Sequence, residues 1–187
     1  RETQELLGLQ TVGFAKTGVE LSGSVLNVLN NTQLDALEEE DRIYRECASL
    51  VSECIDSELP VILESLPFGI GKPDDYNVEN ISFAVRMAAE LGADVIKTAF
   101  PHDAEINDFK KIIDSSFVPV VVLGGAAMGD DEALLKMVKM AMDSGASGIA
   151  VGRNVFQHEN PALVAKSLHA IVHEDANLDQ ALKIINH

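Results

Sequence analysis

Lys97 is the residue whose position in this sequence best suits covalent chemistry. It ends the short apolar run Ala93-Asp94-Val95-Ile96-Lys97, just before a loop that begins at Thr98. Burial at a strand end disfavours the charged ammonium form of a lysine, and the neutral amine is the form that attacks a carbonyl carbon to give an imine. An alternative interpretation is a lysine that extends along apolar surface and keeps its ammonium group in water.

Two apolar runs farther along the chain end in glycine and suit the binding of a phosphate. Residues 120–125 end in Gly124 and Gly125, and residues 148–152 end in Gly152, which Arg153 follows. Glycine lets backbone amides approach an anion closely, and arginine adds a charge-assisted pair. Glycine also ends strands for purely structural reasons. Two consecutive runs of this kind, with a helical turn expected at residues 155–158, favour the phosphate interpretation.

Alternating short strands and longer helices must position these residues. The hydrophobic pattern predicts strands at residues 61–65, 94–98, 119–123 and 148–152, and helices at residues 78–91, 104–114, 130–144 and 161–173. Apolar strands separated by helices are typical of a parallel sheet buried on both faces. Because the carboxyl ends of parallel strands lie at one edge of a sheet, we expect Lys97 and the two glycine loops to lie at that same edge.

The part of the sequence before residue 59 leaves the closure of this sheet open. Strands are expected at residues 11–14 and 24–28, and a helix from about residue 34 to residue 57. About five or six such units are fewer than a closed barrel of about 250 residues contains. Two architectures therefore compete: an open doubly wound sheet, or a (β/α)8 barrel whose N-terminal strands are incomplete in this sequence. The two glycine loops, which suit phosphate binding, favour the barrel. We expect the barrel to form a single domain over residues 1–187.

The composition excludes several classes of partner. A formal net charge of −16 would repel nucleic acid and anionic membrane surfaces, so an anionic ligand needs a local positive site. No apolar stretch is long enough to span a membrane. Cys47 and Cys54 are expected about 10 Å apart along one helix, as reduced thiols of a cytoplasmic protein. The histidines lack metal-ligand spacing, so we expect no metal or other cofactor.

Three motifs resemble a known family. They are L-G-A-D-V-I-K-T at residues 91–98, V-P-V-V-V-L-G-G at 118–125 and G-A-S-G-I-A-V-G-R-N-V-F-Q at 145–157. Together they resemble the class I aldolases of the deoxyribose-phosphate aldolase-like superfamily, in particular the archaeal-type fructose-bisphosphate, tagatose-bisphosphate and sulfofructose-phosphate aldolases. The resemblance implies a (β/α)8 barrel in which Lys97, on strand 6, forms an imine with a phosphorylated ketose. It further implies phosphate binding by Gly125, Gly152 and Arg153.

The acid/base residue departs from one branch of that family and matches another. Leu66 stands where the archaeal-type enzymes carry a proton-transferring tyrosine. The tagatose and sulfosugar branches instead have a strand-5 glutamate and a proline four residues after the lysine, which Glu64 and Pro101 match. Glu64 is therefore the expected acid/base. An ionised Glu64 near Lys97 would favour the ammonium form and oppose the effect of burial. His102 is a second expected proton carrier, with an ordinary exposed loop histidine as the alternative.

Together these observations predict a class I aldolase that makes or breaks a carbon–carbon bond in a sugar phosphate and assembles as a homo-oligomer. Two other functions stay open. One is an acyl- or ketol-transferring enzyme on the same lysine-bearing barrel. The other is a sugar-phosphate binding protein that kept the glycines and Arg153 but has no catalysis.

Overall fold

The computed structural model of the protein describes residues 41–67, 76–126 and 128–186. The chain divides into two units, Arg1–Cys47 and Ala48–His187, and the sheet belongs to the second. Residues 41–56 form helix α1, in agreement with the described part of the helix predicted there. The strands predicted at residues 11–14 and 24–28 lie outside the described residues.

Four parallel strands form one sheet in the order of the sequence. They are β1 (Ile62–Glu64), β2 (Val95–Thr98), β3 (Val120–Leu123) and β4 (Gly148–Ala150), with the order β1-β2-β3-β4. A doubly wound sheet reverses its strand order at a switch point. The described strands have no such reversal, so they follow the sequential order of a barrel.

The strand register places the two expected catalytic residues side by side. Glu64 of β1 is the register partner of Lys97, and Lys97 is the partner of Val121 on β3. Val121 is in turn the partner of Gly148 on β4. Register partners of neighbouring strands point to the same side of a sheet. These residues therefore form one row across the same face.

Six further helices are described, and local sequence explains where several of them start and end. They are α2 (Val78–Glu90), α3 (Ile106–Ser115), α4 (Asp131–Asp143), α5 (Arg153–Phe156), α6 (Pro161–Glu174) and α7 (Leu178–Ile185). Asn77, Asp130 and Asn177 cap α2, α4 and α7, each accepting a backbone N–H of the first turn. Gly92 and Gly145 follow α2 and α4 with φ of 97°, which glycine adopts without steric cost.

Packing of the helices decides which face of the sheet Lys97 occupies. Ile96 and Thr98, which flank Lys97 on β2, are fully buried. Ile96 packs with Phe109 of α3 and with Val120 in one apolar cluster. Because side chains alternate along a strand, Lys97 points to the opposite face, away from the helices. A second cluster joins α4, α6 and α7, with Leu135, Val164 and Ala181 fully buried.

An ion pair links α4 to the end of α6. The Lys139 ammonium lies 2.7 Å from Asp143 and 3.2 Å from Asp175, and Asp175 ends α6 in the left-handed conformation. The hydrogen bond to Asp143 raises the pKa of Lys139 above 10.5, against the effect of burial. A cation with a raised pKa stabilises the fold fully below its unfolded pKa and loses that contribution as the pH rises further. The link therefore persists at neutral pH.

No helix in the described ranges is both long and apolar enough to traverse a lipid bilayer. Cys47 and Cys54 are free thiols.

Candidate active site

A direct ion pair joins the lysine and the glutamate singled out in the sequence. The Lys97 Nζ donates to Glu64 Oε2 at 2.8 Å. The Lys97 side chain is 28% exposed and that of Glu64 is 48% exposed. Both groups are thus held against each other and remain open to a ligand. A carboxylate in contact with an amine can take its proton and later return it, which imine chemistry requires.

Hydrogen bonds of Thr98 and Ser65 join the end of β1 to β2 and to α2. Thr98 is fully buried, and its Oγ1 donates to the Ser65 carbonyl at 2.8 Å. The Ser65 Oγ donates to the Ala84 carbonyl on α2 at 2.8 Å, and the Ser65 N–H donates to the Lys97 carbonyl at 2.9 Å. The residues that follow Glu64 and Lys97 therefore fix both strand ends. Sequence reasoning missed their role, although Thr98 belongs to the motif at residues 91–98.

Leu66 contributes packing at this end of the sheet. It is half-buried and packs against the same apolar cluster as Tyr76 and Phe100. An aliphatic side chain transfers no proton, so of these two residues only Glu64 carries a group that can exchange a proton with Lys97.

His102 lies in the loop after β2 and is bound to another segment. Its Nδ1 is 2.8 Å from the Tyr76 carbonyl oxygen, and its backbone N–H donates to the same oxygen at 2.9 Å. Because a carbonyl only accepts, Nδ1 carries the hydrogen and Nε2 is the nitrogen that can exchange a proton. Among the described residues no hydrogen bond joins His102 to Lys97 or Glu64. The structure therefore brings Glu64, and not His102, into contact with the lysine.

The glycines after β3 and β4 allow the two loops to pack closely. A Cβ added to Gly124 would lie 2.7 Å from Val151 Cγ1, and one added to Gly152 would lie 3.0 Å from the Phe156 ring. Gly125 has φ of 64°, a conformation that favours glycine. These positions thus have a structural need for glycine. Of the three, Gly125 is exposed and Gly124 is buried against Val151, so it is the backbone at Gly125 that is open to an anion.

Asn154 connects the two glycine loops, and sequence reasoning missed it. Its side chain is buried, with Nδ2 donating to the Gly124 carbonyl at 2.7 Å and to the Ala126 carbonyl at 3.0 Å. Its Oδ1 accepts the Met128 N–H at 2.7 Å. The residue lies in the motif at 145–157, but its partners are far away in the sequence.

Arg153 is an exposed cation at the start of α5. It lines a cavity of about 290 Å³ together with Asp130, Asp131, His158 and Glu159. In this cavity the His158 Nε2 is 3.2 Å from Asp131 Oδ2. Arg153 itself forms no ion pair with any residue that the structure describes, so its guanidinium is available to an anion. The sequence-predicted helical turn at 155–158 begins two residues earlier than expected.

Across the described ranges, no group of three histidine, cysteine, aspartate or glutamate side chains is arranged to hold a metal ion.

A protein-family model described as DeoC/LacD family aldolase matches residues 9–158 of the sequence. The fructose-bisphosphate aldolase class 1 of Halobacterium salinarum is 38% identical over 173 residues, which are 92% of this chain and 62% of the relative. From the same organism, a 2-amino-3,7-dideoxy-D-threo-hept-6-ulosonate synthase is 40% identical over 124 residues, covering 66% of this chain and 45% of the relative.

The fold is also similar to that of a solved aldolase structure. An archaeal fructose-1,6-bisphosphate aldolase, whose catalytic lysine is covalently bound to the carbinolamine intermediate, superposes with a TM-score of 0.66 at 30% identity. The match covers 71% of this chain and 53% of that one. This confirms the predicted (β/α)8-barrel class, of which the described residues supply four strands. The chain spans about three fifths or less of the length of these relatives.

Proposed function

The chain belongs to the DeoC/LacD family of aldolases, and on that premise we propose that it is a class I aldolase acting on a phosphorylated ketose. The observation that carries the proposal is the contact between Lys97 Nζ and Glu64 Oε2. The lysine-bound intermediate of the archaeal aldolase supports the same chemistry. We further propose that the chain forms a single barrel domain and that the protein is a cytoplasmic homo-oligomer.

Imine formation begins with proton transfer from Lys97 to Glu64, which converts the ion pair into a neutral amine and a carboxylic acid. The amine attacks the ketone carbon and gives a carbinolamine. Glu64 then returns its proton to the carbinolamine hydroxyl, which leaves as water, and the iminium forms. Glu64 is a carboxylate again at this point, so the contact with Lys97 serves both directions of the transfer.

Cleavage uses the regenerated Glu64 carboxylate. It accepts the proton of the hydroxyl group two carbons from the iminium carbon. The bond between that hydroxyl-bearing carbon and the carbon next to the iminium carbon breaks, an aldehyde leaves, and the electron pair of the broken bond is taken up by the iminium to give an enamine. Protonation and hydrolysis of the enamine release the ketone and free Lys97. His102, through Nε2, is the proposed proton carrier to solvent.

The phosphate of the substrate is proposed to bind at the carboxyl ends of β3 and β4, on Gly124, Gly125, Gly152 and Arg153. Backbone N–H groups of the glycine loops supply donors, and the Arg153 guanidinium supplies charge. In a protein of net charge −16, such a local cation is what permits an anionic substrate to bind.

A second candidate function is ketol or acyl transfer on the same lysine. The similarity to a hept-6-ulosonate synthase favours it, because a synthase passes the carbon fragment to another acceptor. Both functions begin with an imine at Lys97 and differ in where the enamine goes.

Reductive trapping separates these functions. Borohydride added with dihydroxyacetone phosphate should reduce the iminium to a stable amine, and peptide mass spectrometry should place the adduct on Lys97. A trapped adduct with aldehyde release from ketose bisphosphates supports the aldolase. An adduct without cleavage points to the transferase, and the absence of any adduct eliminates both and favours the binding protein.

Arg153→Ala tests the anion site. We expect KM for a phosphorylated ketose to rise about 10- to 100-fold, because a charge-assisted pair is lost. KM for the unphosphorylated analogue should change by less than about threefold. Lys136→Ala, which removes an exposed cation of α4, is the matched control. Equal losses for both substrates would assign Arg153 a structural role.

A further inference from the structure

We infer that Asn154 is a positioning residue that aims the Gly125 N–H at the substrate phosphate. The inference rests on the proposed sugar-phosphate site and adds a residue to it. Asn154 does not contact the reacting atoms. It acts through the loop after β3, whose backbone it holds at three points.

The hydrogen bonds of Asn154 use its entire amide group. Both Nδ2 hydrogens are taken up by the Gly124 and Ala126 carbonyls, and Oδ1 accepts the Met128 N–H. The residue is only 9% exposed. An amide provides two donors and an acceptor in one plane, whereas a carboxylate lacks the donors and an aliphatic side chain lacks all three groups. Asparagine therefore matches this loop in a way that aspartate and alanine do not.

The bond to the Gly124 carbonyl determines where the next N–H points. A trans peptide unit is planar, with its C=O and N–H on opposite sides. When Asn154 holds the Gly124 carbonyl, the Gly125 N–H of that peptide unit is directed away from Asn154. Gly125 is exposed, and its N–H forms no hydrogen bond with another described residue. It is thus an oriented donor that an anion can use.

Two adjacent features make this orientation costly to lose. Gly125 has φ of 64°, in a region where a glycine backbone otherwise has wide freedom. Gly124 lies so close to Val151 that a Cβ would overlap it, so the loop sits against the end of β4. Asn154 thus fixes a flexible glycine pair, and a shift of about 1 Å in a group that binds substrate can cost up to about 100-fold in rate.

Phosphate titration by NMR tests the aimed N–H directly. Gly124-Gly125 is the only pair of consecutive glycines in the sequence. Glycine labelled with heavy isotopes at both the carbonyl carbon and the nitrogen therefore identifies the Gly125 amide without assigning the whole spectrum. In the full chain, inorganic phosphate should shift this resonance saturably. Asn154→Asp keeps the size of the side chain but not the two donors, and it should require about 10-fold more phosphate or more.

Kinetics provide a second readout. We define the phosphate preference as kcat/KM for reductive trapping at Lys97 with dihydroxyacetone phosphate, divided by kcat/KM for the same reaction with dihydroxyacetone. Asn154→Ala and Asn154→Asp should lower it about 10- to 100-fold, through KM for the phosphorylated ketone, with dihydroxyacetone trapping nearly unchanged. Ser144→Ala is the control, because it removes buried hydrogen bonds to Ile106 and Met140 far from the loop. It should reduce thermal stability and leave the preference intact.

The outcomes separate this inference from the proposed function. An Asn154→Asp protein with wild-type phosphate affinity and preference overturns the positioning role, as does a Gly125 resonance that phosphate does not move in the wild type. The absence of a wild-type shift overturns the inference even where both Asn154 variants fail to fold. Absence of trapping at Lys97 in the wild type contradicts the aldolase proposal, whereas a phosphate-induced shift of Gly125 that depends on Asn154 would still support the inference.

Discussion

Replacement of Lys97 by arginine should abolish the borohydride-trapped adduct and lower kcat about 10⁴- to 10⁶-fold, the scale reached when a covalent nucleophile is removed. A guanidinium stays protonated at every pH at which the protein is folded, so it cannot attack the ketone. It can still pair with Glu64, which lies 2.8 Å from the native ammonium. The substitution thus removes the reactive amine and retains the cation. Mass spectrometry of the reduced protein and steady-state rates provide the measurements.

Two further variants show whether the loss belongs to the amine of Lys97. Lys97→Met should also lose the adduct, and in addition it leaves Glu64 without its partner. Lys111→Arg changes an exposed lysine that pairs with Asp108 on α3, and it should trap as the wild type does. Circular dichroism should show the same helix content in all three proteins. An adduct that persists in Lys97→Arg would place the imine on another lysine.

The order and bounds of the elements from β1 to α6 could be predicted because each one carries a local signal. The strands near Lys97 and Gly124 are continuous apolar runs, and the helices between them have apolar periodicity. The structure differs from the expected bounds by at most two residues at each described strand and helix end. Local patterns set these bounds because burial of each strand and of one helix face dominates their stability.

Helix α7 was not predicted, although its signal is present in the sequence. Asn177 and Gln180 form a capping box. Leu178, Ala181, Leu182 and Ile185 follow with helical spacing, and Ala181 is fully buried. A helix of eight residues is only marginally stable in isolation, so it depends on tertiary packing. Here the packing comes from α4 and α6, which the sequence does not reveal.

The candidate site, like the fold, could be predicted from the sequence only in part. Lys97 and Glu64 each lie one residue before the end of a predicted strand, so the sequence predicted that both lie at one edge of the sheet. Their direct contact depends on the pairing of β1 with β2 in the observed register, because a slip of one residue would turn one side chain to the other face. Asn154 could not be predicted, since it binds carbonyls 28 and 30 residues away.

Glu64→Gln is expected to have the second largest effect, because it should separate carbon–carbon cleavage from the equilibrium extent of imine formation. Glutamine has nearly the same shape, and its amide oxygen can accept the hydrogen bond of Lys97. It cannot take a proton from the substrate hydroxyl. We expect the rate of carbon–carbon cleavage to fall about 10²- to 10⁴-fold, as is typical when a general base is lost. The adduct trapped after long incubation should remain on Lys97.

The comparison of trapping with cleavage decides between two roles for Glu64. If the glutamate serves as the base in cleavage, the trapped fraction at equilibrium stays near the wild-type value while aldehyde release falls. If the glutamate only places Lys97, both measurements fall together, because every step depends on the position of the amine. Glu90→Gln, which alters an exposed carboxylate paired with Arg86 on α2, should change neither.

The size of the loss also reports on how Lys97 and Glu64 share their proton. In the proposed mechanism the carboxylate removes a proton from the ammonium before attack and returns it to the carbinolamine. A glutamine can do neither, so Glu64→Gln should slow the approach to the trapped state as well as cleavage. Glu64→Asp retains the carboxylate but draws it back from Nζ by one methylene, and should recover part of both rates. Recovery by aspartate but not by glutamine would identify proton transfer, rather than hydrogen bonding, as the contribution of Glu64.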